Sequence, residues 1–213
     1  MSVQRRDQSE PSGAGDLPRV LLVSPQPFFR LAGTPMNVRL MCQALADSGY
    51  AIDLFTFPHG QRLDLPQVRQ MRVWPIPGLS KIPIGFSGTK IAYDVLMIFM
   101  VAWALVRQRY VAVHAIEEAA FFTLPLAWLR GLPGIIDLDS DLEHQLASHP
   151  SPVARRLAPP ARLIRRLVLK RAQAAVTVAS HLTALVRRES PQTPVFELRD
   201  IPLPEMLSPP DPR

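Results

Sequence analysis

Three short stretches contain residue types that could do chemistry. In "VHAIEEAAF", His114 falls near the end of an apolar run, and Glu117 and Glu118 open the next helical pattern. An imidazole beside two carboxyls can move a proton or hold a hydroxyl, provided the fold shifts their pKa values toward the task. The same residues would also suit a hydrogen-bonded core histidine and favourable first-turn charges at a helix N-terminus. In "IIDLDSDLEHQL", Asp137, Asp139 and Asp141 stand at every second position and would share one face if the strand ran on. Oxygen-ligated metals usually recruit more ligands, and short acidic runs also cap helices, so no metal site is assigned. His144 further on belongs to a helix surface and receives no role. In "SPQPFFRLAGTP", Gly33 and Thr34 lead into a helix. Free N–H groups and the helix dipole there would attract a phosphate; a glycine turn with a threonine cap is the other reading. Neither GxGxxG nor GxxxxGK[ST] is present.

The elements that must carry these residues alternate along the chain. "RVLLVS", "AIDLFTF", "VRQMRVWPI", "YVAVHAI", "LPGIIDLDS", "AAVTVA" and "PVFELR" read as strands, several of them apolar almost throughout, as parallel strands covered on both faces are. Helical patterns separate most of them. The predicted fold class is therefore α/β: one Rossmann-like domain with an open, mostly parallel sheet and helices on both faces. Ligands of such sheets lie at the carboxyl ends of the strands, where all three stretches fall. "TPMNVRLMCQALADSG" starts a helix with Thr34 as cap and Pro35 at the first position, and Gly49 ends it. The helix in "PVARRLAPPARLIRRLVLKRAQ" is expected to begin after Pro159 and Pro160. The most apolar stretch, Ile91 to Val106, is shorter than the roughly 20 residues of a bilayer span and contains Asp94. A buried helix is expected there, with a membrane-facing one as the alternative.

Composition excludes several classes. At 47% hydrophobic and 20% charged the 213 residues are globular, not disordered. A single cysteine, Cys42, rules out an internal disulfide and a cysteine-rich zinc site; it reads as a small buried thiol in a reducing compartment. The start, "MSVQRRDQSEPSGAGDLPR", has no apolar core of a secretory signal and reads as a disordered lead-in. The net charge of +6 comes from one place, a run with seven cations and no acid: Arg155, Arg156, Arg162, Arg165, Arg166, Lys170 and Arg171. These form a local basic face, either solvated or turned to a membrane. No nucleic-acid reader motif and no interleaved aromatics accompany them, so nucleic acid is not an expected partner.

In their order, "VLLVSPQPFFRLAGTPMNVRLMCQALADSGYAIDLFTF", "YVAVHAIEEAAFF", "IIDLDSDLEHQL" and "RAQAAVTVASHLTALVRRESP" before "VFELRDIPLPE" resemble the N-terminal domain of GT-B-fold glycosyltransferases of family 4. The resemblance implies a two-domain enzyme in which this domain mainly binds the acceptor and a second binds most of the nucleotide-sugar donor. It implies no metal and no cofactor beyond the nucleotide-sugar substrate. Gly33 and Thr34 would inherit the loop that approaches the donor phosphates. His114, Glu117 and Glu118 would be the catalytic group, and Arg30, Asp137, Asp139 and Ser140 would line the acceptor side or cleft. The family's H-x-H-E pattern is matched by His114 and Glu117, while Ile116 stands at the second histidine. The basic helix resembles the membrane-docking face of relatives that use lipid-linked acceptors.

The resulting division is a tail over 1–17, the Rossmann-like domain over 18–202, and a Pro-rich tail or start of an interdomain linker over 203–213. The donor-side E-x7-E motif belongs to a half this sequence does not contain. The expectation is thus the acceptor side of a retaining glycosyltransferase, acting on a glycan or lipid-linked acceptor and inactive without a donor-binding domain that a separate chain would supply. The alternative is a non-catalytic binding module or truncated remnant, docking to an anionic membrane through the basic helix. A cytoplasmic place, with peripheral contact at the inner face of the membrane, fits both.

Overall fold

The computed structural model describes residues 17–27, 33–79, 82 and 87–199. Arg30, the lead-in through 16 and the segment 203–213 lie outside the described residues. In chain order the elements are β1 (Arg19–Pro27), α1 (Gly33–Asp47), β2 (Ala51–Phe57), β3 (Val68–Arg72), α2 (Gly88–Arg107), β4 (Ala112–Ile116), α3 (Ala119–Trp128), β5 (Gly134–Leu138), α4 (Leu142–Ala147), α5 (Pro152–Arg171), β6 (Ala174–Thr177), α6 (Ser180–Glu189) and β7 (Val195–Glu197). The strands form one sheet in the order β3-β2-β1-β4-β5-β6-β7, and every pairing is parallel. The chain winds outward from β1 to β3, returns through α2, and winds the other way from β4. The carboxyl ends of β1 and β4 therefore flank the crevice where strand order reverses.

Alternation along the strands divides the core between the two faces. Leu22, Ile52, Leu54 and Ile116 pack with Val38 and Cys42 of α1. Leu21, Val23, Phe55, Val113, Ala115 and Ile136 point the other way, against Tyr93 and Met97 of α2, Leu124 of α3 and Val168 of α5. Each of the valine, leucine, isoleucine, phenylalanine and methionine side chains among them contributes about 1.5–3 kcal/mol by leaving water. Burial pushes the Cys42 thiol up to about 12, so it is an inert core group. Gly49 takes φ +85 and donates its N–H to the Ala46 carbonyl, closing α1 as its position suggested.

Three expectations are corrected. The helix α1 begins at Gly33, so Thr34 and Pro35 sit inside its first turn. The helix α5 starts at Pro152 and runs straight through Pro159 and Pro160. Ala154, Ala158, Arg165, Val168 and Leu169 are buried at helical spacing, which holds the helix together. The carbonyls that lose their donors belong to Arg155 and Arg156, both on the exposed side, where water can replace the missing bonds. The helix α2 is buried along one face only; Phe99, Trp103 and Val106 are more than 60% exposed. Hydropathy revealed how apolar this helix is, not which of its sides the sheet would cover.

Candidate functional site

Two of the three stretches meet at the carboxyl edge of β4 and β5. In β4, His114 and Ile116 turn to the α1 face while Val113 and Ala115 turn to the other. The register sets Ile116 beside Asp137, so His114 and Asp137 point to the same side. His114 Nε2 lies 3.3 Å from Asp137 Oδ2, with both side chains under 10% exposed. The two groups are within ion-pair distance, but the geometry is not that of a hydrogen bond: His114 Nε2 and Asp137 Oδ1 are buried without hydrogen-bond partners among the described residues.

One residue on, the chain turns sharply. Glu117 adopts φ +51, the left-handed region that costs a residue with a Cβ about 1–2 kcal/mol. Its N–H donates to the Asp137 carbonyl at 2.7 Å, and its Oε1 accepts from the Ser140 hydroxyl at 2.7 Å. Burial raises the Glu117 carboxyl above its ordinary value, and the neighbouring Glu118 adds to this; Ser140 and Lys90 oppose the shift without cancelling it. The turn thus holds a carboxyl that can keep its proton closer to neutrality than a surface glutamate.

Glu118, the residue before α3, pairs with Lys90 in the first turn of α2. Burial pulls the Lys90 ammonium down, but Glu118, Glu117 and Asp94 outweigh it and hold the group above its usual value. Asp94, one turn further along α2, is pushed up to about 8, first by burial and then by the Glu118 charge, against the pull of Lys90. Asp94 Oδ1 has no hydrogen-bond partner among the described residues. Lys90 and Asp94 thus join the group although sequence reasoning missed them. The available signal was the pair Lys90 and Asp94 at i, i+4 on an otherwise apolar helix whose N-terminus must sit at the carboxyl edge.

The three alternating aspartates do not share a face, because β5 ends at Leu138. Asp137 stays at the strand end by His114, Asp139 is half-buried in the turn, and Asp141 accepts from the His144 N–H as the cap of α4. Among the described residues no group of three or more His, Cys, Asp or Glu is arranged to hold a metal ion. Thr34, half-buried, lies in the first turn of α1, across the crevice from this edge. Ser24, near the end of β1, has a buried hydroxyl with no partner among the described residues. Two surface depressions, one by Arg39 and Asp64 and one by Arg19 and Arg69, contain none of these groups.

The basic run divides by burial. Arg155, Arg156, Lys170 and Arg171 are exposed. Arg162 pairs with Glu143 and Arg166 with Glu189. Arg165 turns inward at 3% exposure and cannot face a membrane. Its guanidinium bonds both oxygens of Glu189 at 2.9 and 2.8 Å, Asp141 at 3.1 Å and Glu143 at 2.8 Å, tying α5 to α4 and α6.

Comparison with known proteins agrees with this architecture. Residues 32–195 match the glycosyl transferase 4-like domain. Among curated proteins, none matches the chain by sequence. Sucrose-phosphate synthase from Thermosynechococcus elongatus superposes with a TM-score of 0.62 at 18% identity, over 85% of this chain and 48% of that one. Arabidopsis thaliana UGT89C1, complexed with UDP-L-rhamnose, gives 0.55 at 13% identity, over 89% and 54%. Phytolacca americana UGT2, complexed with UDP-2fluoro-glucose and pterostilbene, gives 0.55 at 13%, over 90% and 56%. The chain spans about half the length of these structures. It belongs to the glycosyl transferase 4-like domain family and has the fold of a GT-B N-terminal domain.

Proposed function

We propose that this domain, over residues 18–202, forms the acceptor-side wall of a glycosyltransferase cleft whose donor-side wall is a second, nucleotide-sugar-binding domain. The observation that carries the reading is the group at the β4–β5 edge. There a left-handed glutamate, a buried His114–Asp137 pair and the Lys90–Glu118 ion pair stand at the reversal of strand order. Stability alone would not select a strained residue and unpartnered buried atoms, whereas substrate binding commonly does.

In this reading the N-terminus of α1, at Gly33 and Thr34, approaches the donor phosphates through its N–H groups. Glu117, with Ser140 fixing one oxygen, accepts a hydrogen bond from the acceptor hydroxyl or donates one to it. Asp137 orients His114, and Lys90 adds positive charge where the leaving diphosphate gathers negative charge. Asp139 and Arg30 complete the acceptor side. A sugar-nucleotide needs both walls for positioning and for exclusion of water, so this domain alone is expected to transfer nothing. The donor class is a uridine diphosphate sugar, as suggested by the ligands named for UGT89C1 and UGT2. The acceptor is a glycan or a lipid-linked sugar, and the donor wall comes from a separate chain or from a further domain.

A second reading, a binding module without transfer chemistry, is favoured by Ile116, which is fully buried among Leu22 and Leu54 and presents no polar atom to a substrate. Calorimetry separates the two assignments of donor binding. UDP titrated into the chain alone is expected to bind with a Kd weaker than about 1 mM, some 4 kcal/mol at most. Micromolar binding by the chain alone would place the donor site on this domain and overturn the acceptor-side assignment.

A further inference from the structure

We propose that Arg62 and Arg72, beside the loop between β2 and β3, bind the phosphate group of a phosphorylated sugar. That this sugar is the acceptor rests on the acceptor-side assignment; the binding site rests on its own geometry. The loop leaves the carboxyl end of β2 and returns to β3, the outermost strand. Two sets of contacts pin it. Gln70 in β3 donates to the Thr56 hydroxyl at 3.0 Å and accepts from the Leu63 N–H at 2.9 Å. Arg72, the last residue of β3, donates to the Gly60 carbonyl at 3.0 Å and to the Pro58 carbonyl at 3.5 Å. Gly60 makes the turn possible at φ +100. The depression against this loop is lined by Arg39 of α1 and by Gln61, Arg62, Leu63 and Asp64.

Carbonyl oxygens fix the direction of the Arg72 guanidinium without cancelling its charge. Its Nε is buried with no hydrogen-bond partner among the described residues. Burial, and then the nearby Arg62 charge, lower Arg72 below its usual value. Elsewhere in the domain, arginines held in place meet carboxylates: Arg19 and Arg69 share Asp53, and Arg165 and Arg166 share Glu189. Among the described residues, neither Arg62 nor Arg72 forms an ion pair, although Asp64 is exposed in the same loop. Two like charges kept close on a pinned loop favour an anion with several acceptor oxygens. Phosphate presents such oxygens to guanidinium forks.

A neighbouring side chain points to a sugar as the carrier of that phosphate. The Val73 N–H continues the ladder to the Thr56 carbonyl, and its side chain is buried in the core on the α2 face. Arg72 and Trp74, on either side of it, therefore turn to the opposite side. Trp74 is 70% exposed. An indole face beside a phosphate site suits the apolar face of a sugar ring. At about 4.8 Å per strand, β3 stands three spacings, roughly 14 Å, from β4. The phosphate thus belongs to a part of the acceptor remote from the hydroxyl that meets Glu117.

The test is an NMR titration of the full chain, following the backbone amides of Gly60, Gln61 and Leu63 and the Nε–H signals of Arg62 and Arg72. The probes are glucose 6-phosphate, glucose, inorganic phosphate and sulfate. Glucose 6-phosphate is expected to give saturable shifts, with affinity several-fold above that of inorganic phosphate, while glucose gives none. Arg62→Glu, at an exposed position, should weaken binding by about tenfold or more. Arg72→Lys keeps the charge but loses the fork and should weaken it several-fold. Asp64→Asn removes the one acid of the depression and should tighten it. The amide spectra should show all three variants folded. Shifts that never saturate, equal affinity for sulfate or inorganic phosphate, or an Arg62→Glu variant that binds as the wild type does would overturn the proposal. UDP in a parallel titration separates the two assignments. Shifts from UDP at Gly33 and Thr34 with none from glucose 6-phosphate would overturn the phosphate site alone. The reverse would support it and count against the donor approach at α1.

Discussion

Asp53, fully buried in β2, and Glu117, half-buried just past the end of β4, are carboxyl-bearing residues at opposite edges of one sheet, and their surroundings differ in kind. Asp53 is fully buried and accepts from Arg19 at 2.8 Å, from Arg69 at 3.0 and 2.6 Å, and from Tyr110 at 2.8 Å. These partners come from β1, β3 and the approach to β4, so one carboxylate joins the amino-terminal edge of the sheet. Glu117 has one side-chain donor among the described residues, Ser140, and sits on a backbone that resists it. Around it, polar atoms of His114, Asp137 and Asp94 go without hydrogen bonds among the described residues. The fold satisfies its acid at one edge and leaves its acids under-satisfied at the other. On the proposed reading, that asymmetry separates a structural network from a ligand site.

The comparison can be broken by substitution. Removing Asp53 should cost most: Asp53→Ala leaves the buried Tyr110 hydroxyl unpaired, removes the shared acceptor of Arg19 and Arg69, and is expected to lower unfolding stability by about 3 kcal/mol in urea titration. An effect below about 1 kcal/mol would mean the amino-terminal network is not structural. Arg165→Met should come next, at about 2–3 kcal/mol, because it leaves Glu189, with a side chain 2% exposed, without its main partner.

The pH response sharpens the same contrast. Burial opposes the Glu189 charge, but Arg165 outweighs it and holds the carboxyl below its ordinary 4.5. Its contribution is therefore present above 4.5 and lost as pH falls through the lower folded value. Asp94 behaves oppositely: raised from 3.8 to about 8, it contributes stability that is complete below 3.8 and is lost as pH rises through about 8. Urea titrations from pH 4 to 9 should show stability declining toward the alkaline end, and Asp94→Asn should flatten that decline. An unchanged slope would remove Asp94 from the cluster. The smallest expected effect is a gain: Glu117→Gly relieves the left-handed strain and should stabilise the fold by about 1 kcal/mol. A loss of that size would show that Glu117 supports the fold.

Much of this was legible in the chain because local patterns decide it. Short β-rich runs, several of them apolar throughout, marked the seven strands of the described residues, and their alternation with helices implied a parallel sheet. The edge carrying His114, Glu117 and Asp137 followed from where those runs end. What escaped depends on contacts between distant segments. Pro159 and Pro160 argued for a helix start, but the buried stripe of α5 overrides that local preference. Arg165 looked like one more cation of a basic run until α4 and α6 supplied its three acids. Lys90 joins the site only because α2 returns across the sheet to bring it to Glu118, 28 residues on in sequence. Asp141 left the D-x-D pattern because β5 ended early enough for it to cap α4.

The contrast between edges is tested most directly by following backbone amides in an NMR titration of the intact chain with millimolar UDP. The account predicts shifts at Gly33, Thr34, Glu117, Glu118 and Ser140, with Arg19, Asp53 and Arg69 unmoved. Shifts confined to the Asp53 edge, or none at the α1 and β4–β5 positions, would contradict it.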